Sequence, residues 1–281
     1  MLKVALTGAS GLVGSRIVEL LDNDLKFISL SQKQFDITDK EQVTNVLKDL
    51  DFDIFLHLAA YTNVPGAETA KDLALKINRD GTKNVFDAVS AKGKKFVYIS
   101  TDFVFDGINP PYFEDSKPNP SGAYADSKYE GEKVIGEEAM IVRISYPYRA
   151  VFEAKRDFFR TFKTYLEQNK PLTMITDSQM TPTFIDDIAY GLKYLFNNYS
   201  QEVFHLVGSK ALSPYDAAIQ VAEKFNLDKS LIGKTTYKEY IKNKPGLPKL
   251  VDIRSKKNNF WKMRSFEEGL LEIKSQITNI K

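Results

Sequence analysis

Three glycines, Gly8, Gly11 and Gly14, follow directly on the short apolar run Lys3–Thr7 (KVALT). No other feature restricts the fold of the chain as strongly. An apolar, β-branched segment closed by a glycine turn reads as a buried strand. Apolar residues at 13, 17, 20 and 21 then give Leu12–Leu21 the spacing of a helix. Glycines at such a strand-to-helix junction let a pyrophosphate approach the free N–H groups of the helix N-terminus, where a Cβ would obstruct it. The third glycine lets the helix lie close against the strand. The junction therefore predicts a dinucleotide site, with Gly8, Ser10, Gly11, Leu12 and Val13 as cofactor-binding residues.

Strand and helix patterns go on alternating through the first half. Lys26–Leu30, Asp53–Leu58, Lys95–Ser100 and Met140–Ile144 read as strands. Helices are predicted over 38–49, 68–91 and 122–138. This alternation gives an α/β fold of the Rossmann type, a doubly wound parallel sheet. The second half is less regular. Helical spacing covers 155–167, 184–196, 214–225 and 265–276, with a strand-like run at 203–207. The lysine-rich segment 242–257, which holds Pro245, Gly246 and Pro248, reads as a surface loop. The division expected is a dinucleotide-binding domain over 1–146, rejoined by about 184–207, and a smaller C-terminal α/β substrate lobe from 147–183 and 208–281.

Composition narrows the function. The 281 residues carry a formal net charge of +2, without the concentrated basic face of a nucleic-acid binder. There is no cysteine, so thiol catalysis and cysteine-held metals are excluded. The two histidines, His57 and His205, sit in strand-like runs, and no metal site is expected. No secretory signal is seen at the N-terminus, and no apolar run reaches the ~18 residues of a membrane span, so a cytoplasmic protein is expected.

The end of the second strand decides which dinucleotide is preferred, because an acid there selects NAD through the ribose 2′-hydroxyl. Here the run is Ser29-Leu30-Ser31-Gln32-Lys33, with no acid before Asp36. Ser31 and Lys33 can accept a 2′-phosphate, which favours NADP(H) and leaves NAD(H) open. A candidate catalytic pair stands in the helix predicted over 122–138. Tyr124 and Lys128 are four residues apart and share one face. An ammonium near a phenol favours the phenolate, so the pair can pass a proton to a carbonyl oxygen. Tyr129/Lys133 and Tyr240/Lys244 repeat the spacing, so spacing alone does not choose among the three. Ser100 and Thr101 end the fourth strand, on the sheet edge where ligands bind.

Longer motifs single out Tyr124. Ile99-Ser100-Thr101-Asp102-Phe103-Val104-Phe105-Asp106-Gly107 is followed by Tyr124-Ala125-Asp126-Ser127-Lys128 and by Gly131-Glu132. Earlier come Phe35-Asp36-Ile37-Thr38, His57-Leu58-Ala59-Ala60-Tyr61-Thr62 and Asn78-Arg79-Asp80-Gly81-Thr82, and later Val142-Arg143-Ile144-Ser145 and Thr181-Pro182-Thr183. With these motifs the chain resembles the extended short-chain dehydrogenase/reductase superfamily, and within it the dTDP-4-dehydrorhamnose reductase family. The resemblance implies a catalytic triad of Thr101, Tyr124 and Lys128. It places Asp36 and Ile37 at the adenine, and Leu58, Ala59, Ala60 and Tyr61 along the cofactor, with Asn78 and Ser100 supporting the site.

On the substrate side the resemblance implies Thr62, Phe103 and Tyr146, while Arg149, Arg156 and Arg160 are candidate cations for a nucleotide diphosphate, whose shape suits arginine. It implies NAD(P)H-dependent reduction of a nucleotide-activated 4-keto-6-deoxy sugar. Two alternatives stand beside that: an epimerase or other ketoreductase acting on a sugar nucleotide, and a non-catalytic NADP-binding subunit resembling the β subunit of methionine adenosyltransferase. The partner expected is the nucleotide sugar, with no nucleic acid and no membrane, and a homodimer is allowed. Departures from the family fall toward the substrate. Pro65 stands where an acid is usual, Phe103 where Tyr is usual, and Thr181 where Gly is common. Tyr146 lies where a Trp is expected, and no Arg-Pro motif is clear around Leu247-Pro248-Lys249.

Overall fold

The computed structural model describes residues 1–242 and 246–280. Strand β1 (Lys3–Thr7) runs into the glycine turn, and helix α1 (Leu12–Leu21) leaves it. Strand β2 (Lys26–Leu30), helix α2 (Lys40–Asp49) and strand β3 (Ile54–His57) follow. β1 pairs in parallel with β2 on one side and with β3 on the other. The chain therefore reverses its direction of travel across the sheet at β1, and that reversal opens a crevice at the carboxyl ends of the strands.

The continuous helix predicted over 68–91 is broken. It starts early, as α3 (Val64–Thr69), with Asn63 capping the Gly66 N–H and Pro65 in the first turn, where its missing donor costs nothing. α4 (Lys71–Leu75) leads into a π-helical turn, Lys76–Gly81, and α5 (Thr82–Ala91) continues from it. Strand β4 (Lys95–Thr101), helix α6 (Ala123–Ile135) and strand β5 (Met140–Ile144) complete the first half. α6 begins on the carboxylate of Glu68, which accepts from the Ala123 N–H at 2.7 Å.

The second half opens with the short strand β6 (Pro147–Tyr148), helix α7 (Phe158–Glu167), strand β7 (Leu172–Ile175) and the short strand β8 (Thr183–Phe184). After α8 (Ile185–Asn197), strand β9 (Val203–His205) joins the main sheet beside β5. α9 (Pro214–Phe225), β10 (Ile232–Thr235), α10 (Tyr237–Ile241) and α11 (Phe266–Ile280) follow. The main sheet has six strands, all parallel, in the order β2-β1-β3-β4-β5-β9. Apolar clusters cover both its faces, one built with α1 and α8 and the other with α2, α5 and α6. A third cluster packs α7, α9 and α11 around the β7–β10 pair. No helix among the described residues is long and apolar enough to cross a membrane.

The segment expected as a surface loop over 242–257 is partly interior. Residues 243–245 lie outside the described residues, and Lys244 of the third Tyr/Lys spacing is among them. Val251 and Ile253 are fully buried. Leu250 bridges to Gln179 and Ile253 to Tyr112. Thr181 holds this strap: its hydroxyl donates to the Val251 carbonyl at 2.9 Å and accepts from the Ile253 N–H at 3.2 Å. A glycine could make neither bond, which gives the departure at Thr181 a structural reason.

A buried ion pair ties α6 to β5. Arg143 donates from Nε and Nη2 to the two oxygens of Glu132, at 2.9 and 2.7 Å, and both side chains are about 4% exposed. Removing one partner leaves an unpaired charge inside the protein. Glu132→Gln is expected to cost about 3–5 kcal/mol of unfolding free energy, read as a lower midpoint in urea with an unchanged slope.

Candidate active site

The glycine turn is shaped by contacts that admit no side chain. Gly8 has φ +73°, a left-handed conformation that favours glycine, and a Cβ there would meet Leu58 and Ala59 at 3.0–3.1 Å. A Cβ on Gly14 would stand 2.3 Å from the Gly8 carbonyl oxygen. The helix thus sits against the turn itself. The Gly11 N–H bonds to that carbonyl at 2.9 Å. No side chain caps the start of α1, so the N–H groups around Leu12 and Val13 remain free for an anion.

Beside the turn lies a cleft of about 690 Å³. Gly8, Ser10, Ser31, Asp36 and Ile37 line one side, and Ala59, Ala60, Tyr61 and Thr62 line the other. Asp36 is fixed by its own turn, accepting from the Thr38 N–H and hydroxyl, each at 2.9 Å. The helix cap here is Asp39, which accepts from the Gln42 N–H at 3.0 Å. Lys33 is exposed and off the cleft wall, whereas Gln32, Leu73 and Lys76 line it. These three were not expected from the sequence. Leu73 and Lys76 come from α4 and the π turn, which only tertiary packing brings across from β2.

Below the cleft a chain of buried polar groups sets the backbone. The Thr7 hydroxyl contacts His57 Nδ1 at 2.9 Å and accepts from the Leu58 and Ala59 N–H groups at 3.3 and 3.2 Å. Thr82 meets His57 Nε2 at 3.3 Å and donates to the Asn78 carbonyl at 2.7 Å. With the Thr82 proton so used, His57 must donate from Nε2 and accept at Nδ1. Burial holds its pKa down to about 3, so it stays neutral. Asn78 lies in the π turn and is 1% exposed. Its side chain joins the Tyr61 backbone to the Ser127 hydroxyl, at 2.8 Å in both directions. It therefore faces protein on all its polar atoms and does not reach the cleft. Leu58 likewise lies under Gly8.

Tyr124 and Lys128 both reach the end of β4, Tyr124 by a hydrogen bond with Thr101 and Lys128 at the Ile99 carbonyl. His57 on β3 is in register with Tyr98 on β4, so Ser100 and Thr101 run past the end of β3 at the carboxyl edge of the sheet. Thr101 donates to Asp102 Oδ1 at 2.9 Å, and Ser145 donates to Oδ2 at 2.6 Å. Burial raises Asp102 to about 6, against these hydrogen bonds. Tyr124 is raised to about 12 by burial, while a hydrogen bond with Thr101 pulls the other way. Lys128 is lowered to about 7 by burial, partly offset by Glu132. Its Nζ donates to the Ile99 carbonyl at 2.9 Å. Lys128 therefore does not lower the phenol of Tyr124 here, contrary to the expectation from helical spacing: the two share a face but point to different partners. The Ser100 Oγ is buried with no hydrogen-bond partner among the described residues.

The aromatic side chains over Tyr124 form a wall. Phe103 meets it edge-on at 5.8 Å, and Tyr146 lies 6.1 Å from Phe103. Tyr146 has φ +39° and contacts Phe158 at 6.2 Å. Tyr237 and Tyr240 of α10 are close enough to reinforce the upward shift that burial gives the Tyr146 phenol. Sequence spacing carried no sign of that approach. Tyr129 packs on the cluster around Phe105 and Tyr112, with Lys133 5.4 Å from its ring, on another side of α6.

Arg149 departs from its expected place. It is 7% exposed, and its guanidinium bonds Ser15 at 3.0 Å and Glu19 at 2.6 Å on α1. Arg160 is likewise taken by Asp157 at 2.9 Å. Both tie the second half of the chain together or to α1, so neither guanidinium is free for a diphosphate. Arg156 is exposed and has no such bond among the described residues.

A family model described as the RmlD substrate binding domain matches residues 2–278. A dTDP-4-dehydrorhamnose reductase of Sinorhizobium fredii is 29% identical over 219 residues, which is 74% of this chain and 73% of that protein. Methionine adenosyltransferase 2 subunit beta of Bos taurus is 29% identical over 245 residues, 81% of this chain and 73% of that one. The crystal structure of dTDP-4-dehydrorhamnose reductase from Bacillus anthracis in complex with NADP matches with a TM-score of 0.91 at 30% identity, over 98% of this chain and 100% of that chain. The chain belongs to the dTDP-4-dehydrorhamnose reductase family of the extended short-chain dehydrogenases/reductases.

Proposed function

We propose that this protein is an NADPH-dependent reductase that converts the 4-keto group of a nucleotide-activated 6-deoxy sugar to an alcohol. The observation that supports the reading is that Tyr124 hydrogen-bonds Thr101 and Lys128 Nζ reaches the Ile99 carbonyl, both at the carboxyl end of β4 in a sheet whose glycine turn lines a cleft. A dinucleotide fits the residues present. The turn leaves no room for side chains, the start of α1 has no side-chain cap, and the Ser100 hydroxyl lacks a partner among the described residues. Ser10, Gly11, Leu12 and Val13 would hold the pyrophosphate, Asp36 and Ile37 the adenosine, and Ser31, which lines the cleft, the 2′-phosphate.

When bound, the nicotinamide supplies the hydride that the carbonyl carbon receives. The protein's part is the proton and its placement. Tyr124 keeps its proton throughout the neutral range, so it serves as the donor to the carbonyl oxygen. Thr101 holds that phenol, and its own proton is committed to Asp102. It keeps the phenol in place at the end of β4. Lys128 holds the nicotinamide ribose and brings positive charge to the site. Phe103 and Tyr146 give the sugar an apolar wall, and Thr62 reaches it from the other side. With Arg149 and Arg160 occupied, Arg156 is the arginine of the three that the nucleotide diphosphate would use. Sugar nucleotides and NADPH are cytoplasmic, which is the ground for placing the protein there.

The similarity to methionine adenosyltransferase 2 subunit beta supports a second reading, a cofactor-binding subunit without turnover. NADPH oxidation with dTDP-4-dehydro-6-deoxy-L-lyxo-hexose separates the two. Under the first reading Tyr124→Phe lowers kcat by at least ~100-fold and leaves NADPH affinity unchanged by titration calorimetry. A fully active Tyr124→Phe variant would refute it. Ser31→Asp introduces the carboxylate that suits a 2′-hydroxyl and repels a 2′-phosphate. It should move the NADPH-to-NADH affinity ratio toward NADH by about tenfold, or ~1.4 kcal/mol.

A further inference from the structure

We propose that Tyr98, through the face of its ring, is the positioning residue that holds the Lys128 ammonium at the site. Lys128 Nζ lies 4.0 Å from the centroid of the Tyr98 ring. Tyr98 is fully buried in β4, in register with His57 and stacked on it at 5.9 Å and 20°. The ring therefore cannot swing away from the ammonium, and Gly131 allows α6 to come down onto it. A Cβ there would stand 2.4 Å from the Tyr98 hydroxyl.

The reason for a ring lies in what else surrounds the charge. Lys128 is 3% exposed, and burial opposes its protonation. The titratable groups facing it are Glu132 on its own helix, His57 on β3 and Tyr98 on β4, while Tyr124 on the same helix turns to Thr101. Glu132 is one helical turn away, but both its oxygens are taken by Arg143. His57 is neutral, and Tyr124 and Tyr98 keep their protons. Among the described residues, the one carboxylate that acts on the ammonium is thus already held by Arg143. An aromatic face stabilises a cation without consuming a directed donor, by an amount that grows when the pair is desolvated. An ammonium has three donors. One goes to the Ile99 carbonyl, and the ring supports the charge, so a donor remains for the cofactor.

The effect on turnover rests on the reductase reading, whereas the effect on Lys128 itself does not, so the test reads both. Lysines of the full-length protein are labelled with ¹³C at Cε, and the Lys128 resonance is assigned by its loss in Lys128→Met. Its titration is then followed in Tyr98→Phe and Tyr98→Leu. Removing the ring favours the neutral amine, so Tyr98→Leu should lower the Lys128 pKa by about 0.5–1 unit, while Tyr98→Phe keeps it close to the parent. Because Leu opens space in a packed sheet, a second series replaces Tyr98 with mono-, di- and trifluorophenylalanine, which weaken the ring face at nearly constant shape. The pKa should fall stepwise with fluorination. A Lys128 titration indifferent to fluorination, or equal shifts in Tyr98→Phe and Tyr98→Leu, would overturn the proposal. If the protein is a reductase, the alkaline limb of kcat/KM moves to lower pH in the same order. If it is not, that limb is missing in the parent while the titration still decides the role of Tyr98.

Discussion

The site depends on how closely α1 sits on the end of β1. With only 2.3 Å between a notional Cβ on Gly14 and the Gly8 carbonyl, the helix axis is set by backbone contact. This close contact aims the uncapped N–H groups of α1 along the carboxyl edge of the sheet. It also leaves Gly8 against Leu58 and Ala59, so the turn is held by β3 as well as by β1. A larger residue at any of these points would move the helix away from the strand it should cap, and the anion site would go with it.

A second constraint is the row of buried hydroxyls and amides beneath that edge. Thr7, His57, Thr82, Asn78 and Ser127 run from β1 across β3 to α6, each satisfied by the next. A buried polar chain of this kind is stable only when every member is paired, which makes its geometry specific. Here it fixes the height of Ala59, Ala60 and Tyr61 on one side and of Tyr124 and Lys128 on the other. The π turn at Lys76–Gly81 belongs to the same device. It places the Asn78 side chain within reach of Tyr61 and Ser127 at once.

Charge in the second half of the chain is used first for assembly. Arg149 reaches Glu19, Arg16 reaches Asp186 at 2.7 Å, and Arg264 reaches Asp187. These pairs join α1, α8 and the start of α11. Their partial burial explains why arginines that look available in the sequence are already committed, since a half-buried guanidinium needs its carboxylate. The rings of Phe103, Tyr146 and Phe158 stand together near Tyr124.

The sequence by itself determined the alternation of strand and helix, the turn at Gly8–Gly14 and the identity of the triad candidates. These are local: periodicity, glycine at a strand end, and residues that are neighbours in one motif. It also determined the wall residues that follow directly on strands, such as Ser31, Asp36, Ala59 and Tyr61. Only the tertiary structure decided where the side chains point. Nothing in their spacing says that Lys128 turns to Ile99 and the Tyr98 ring rather than to Tyr124, since those partners come from another strand. The same holds for Arg149 on Glu19, 130 residues away in sequence, for Lys76 facing β2 across the cleft, and for the strap at Val251–Ile253, whose lysine-rich flanks hide a buried core. Local pattern fixes which element a residue belongs to, but its partner is set by packing, and in this protein the partners decide which cations remain free to act.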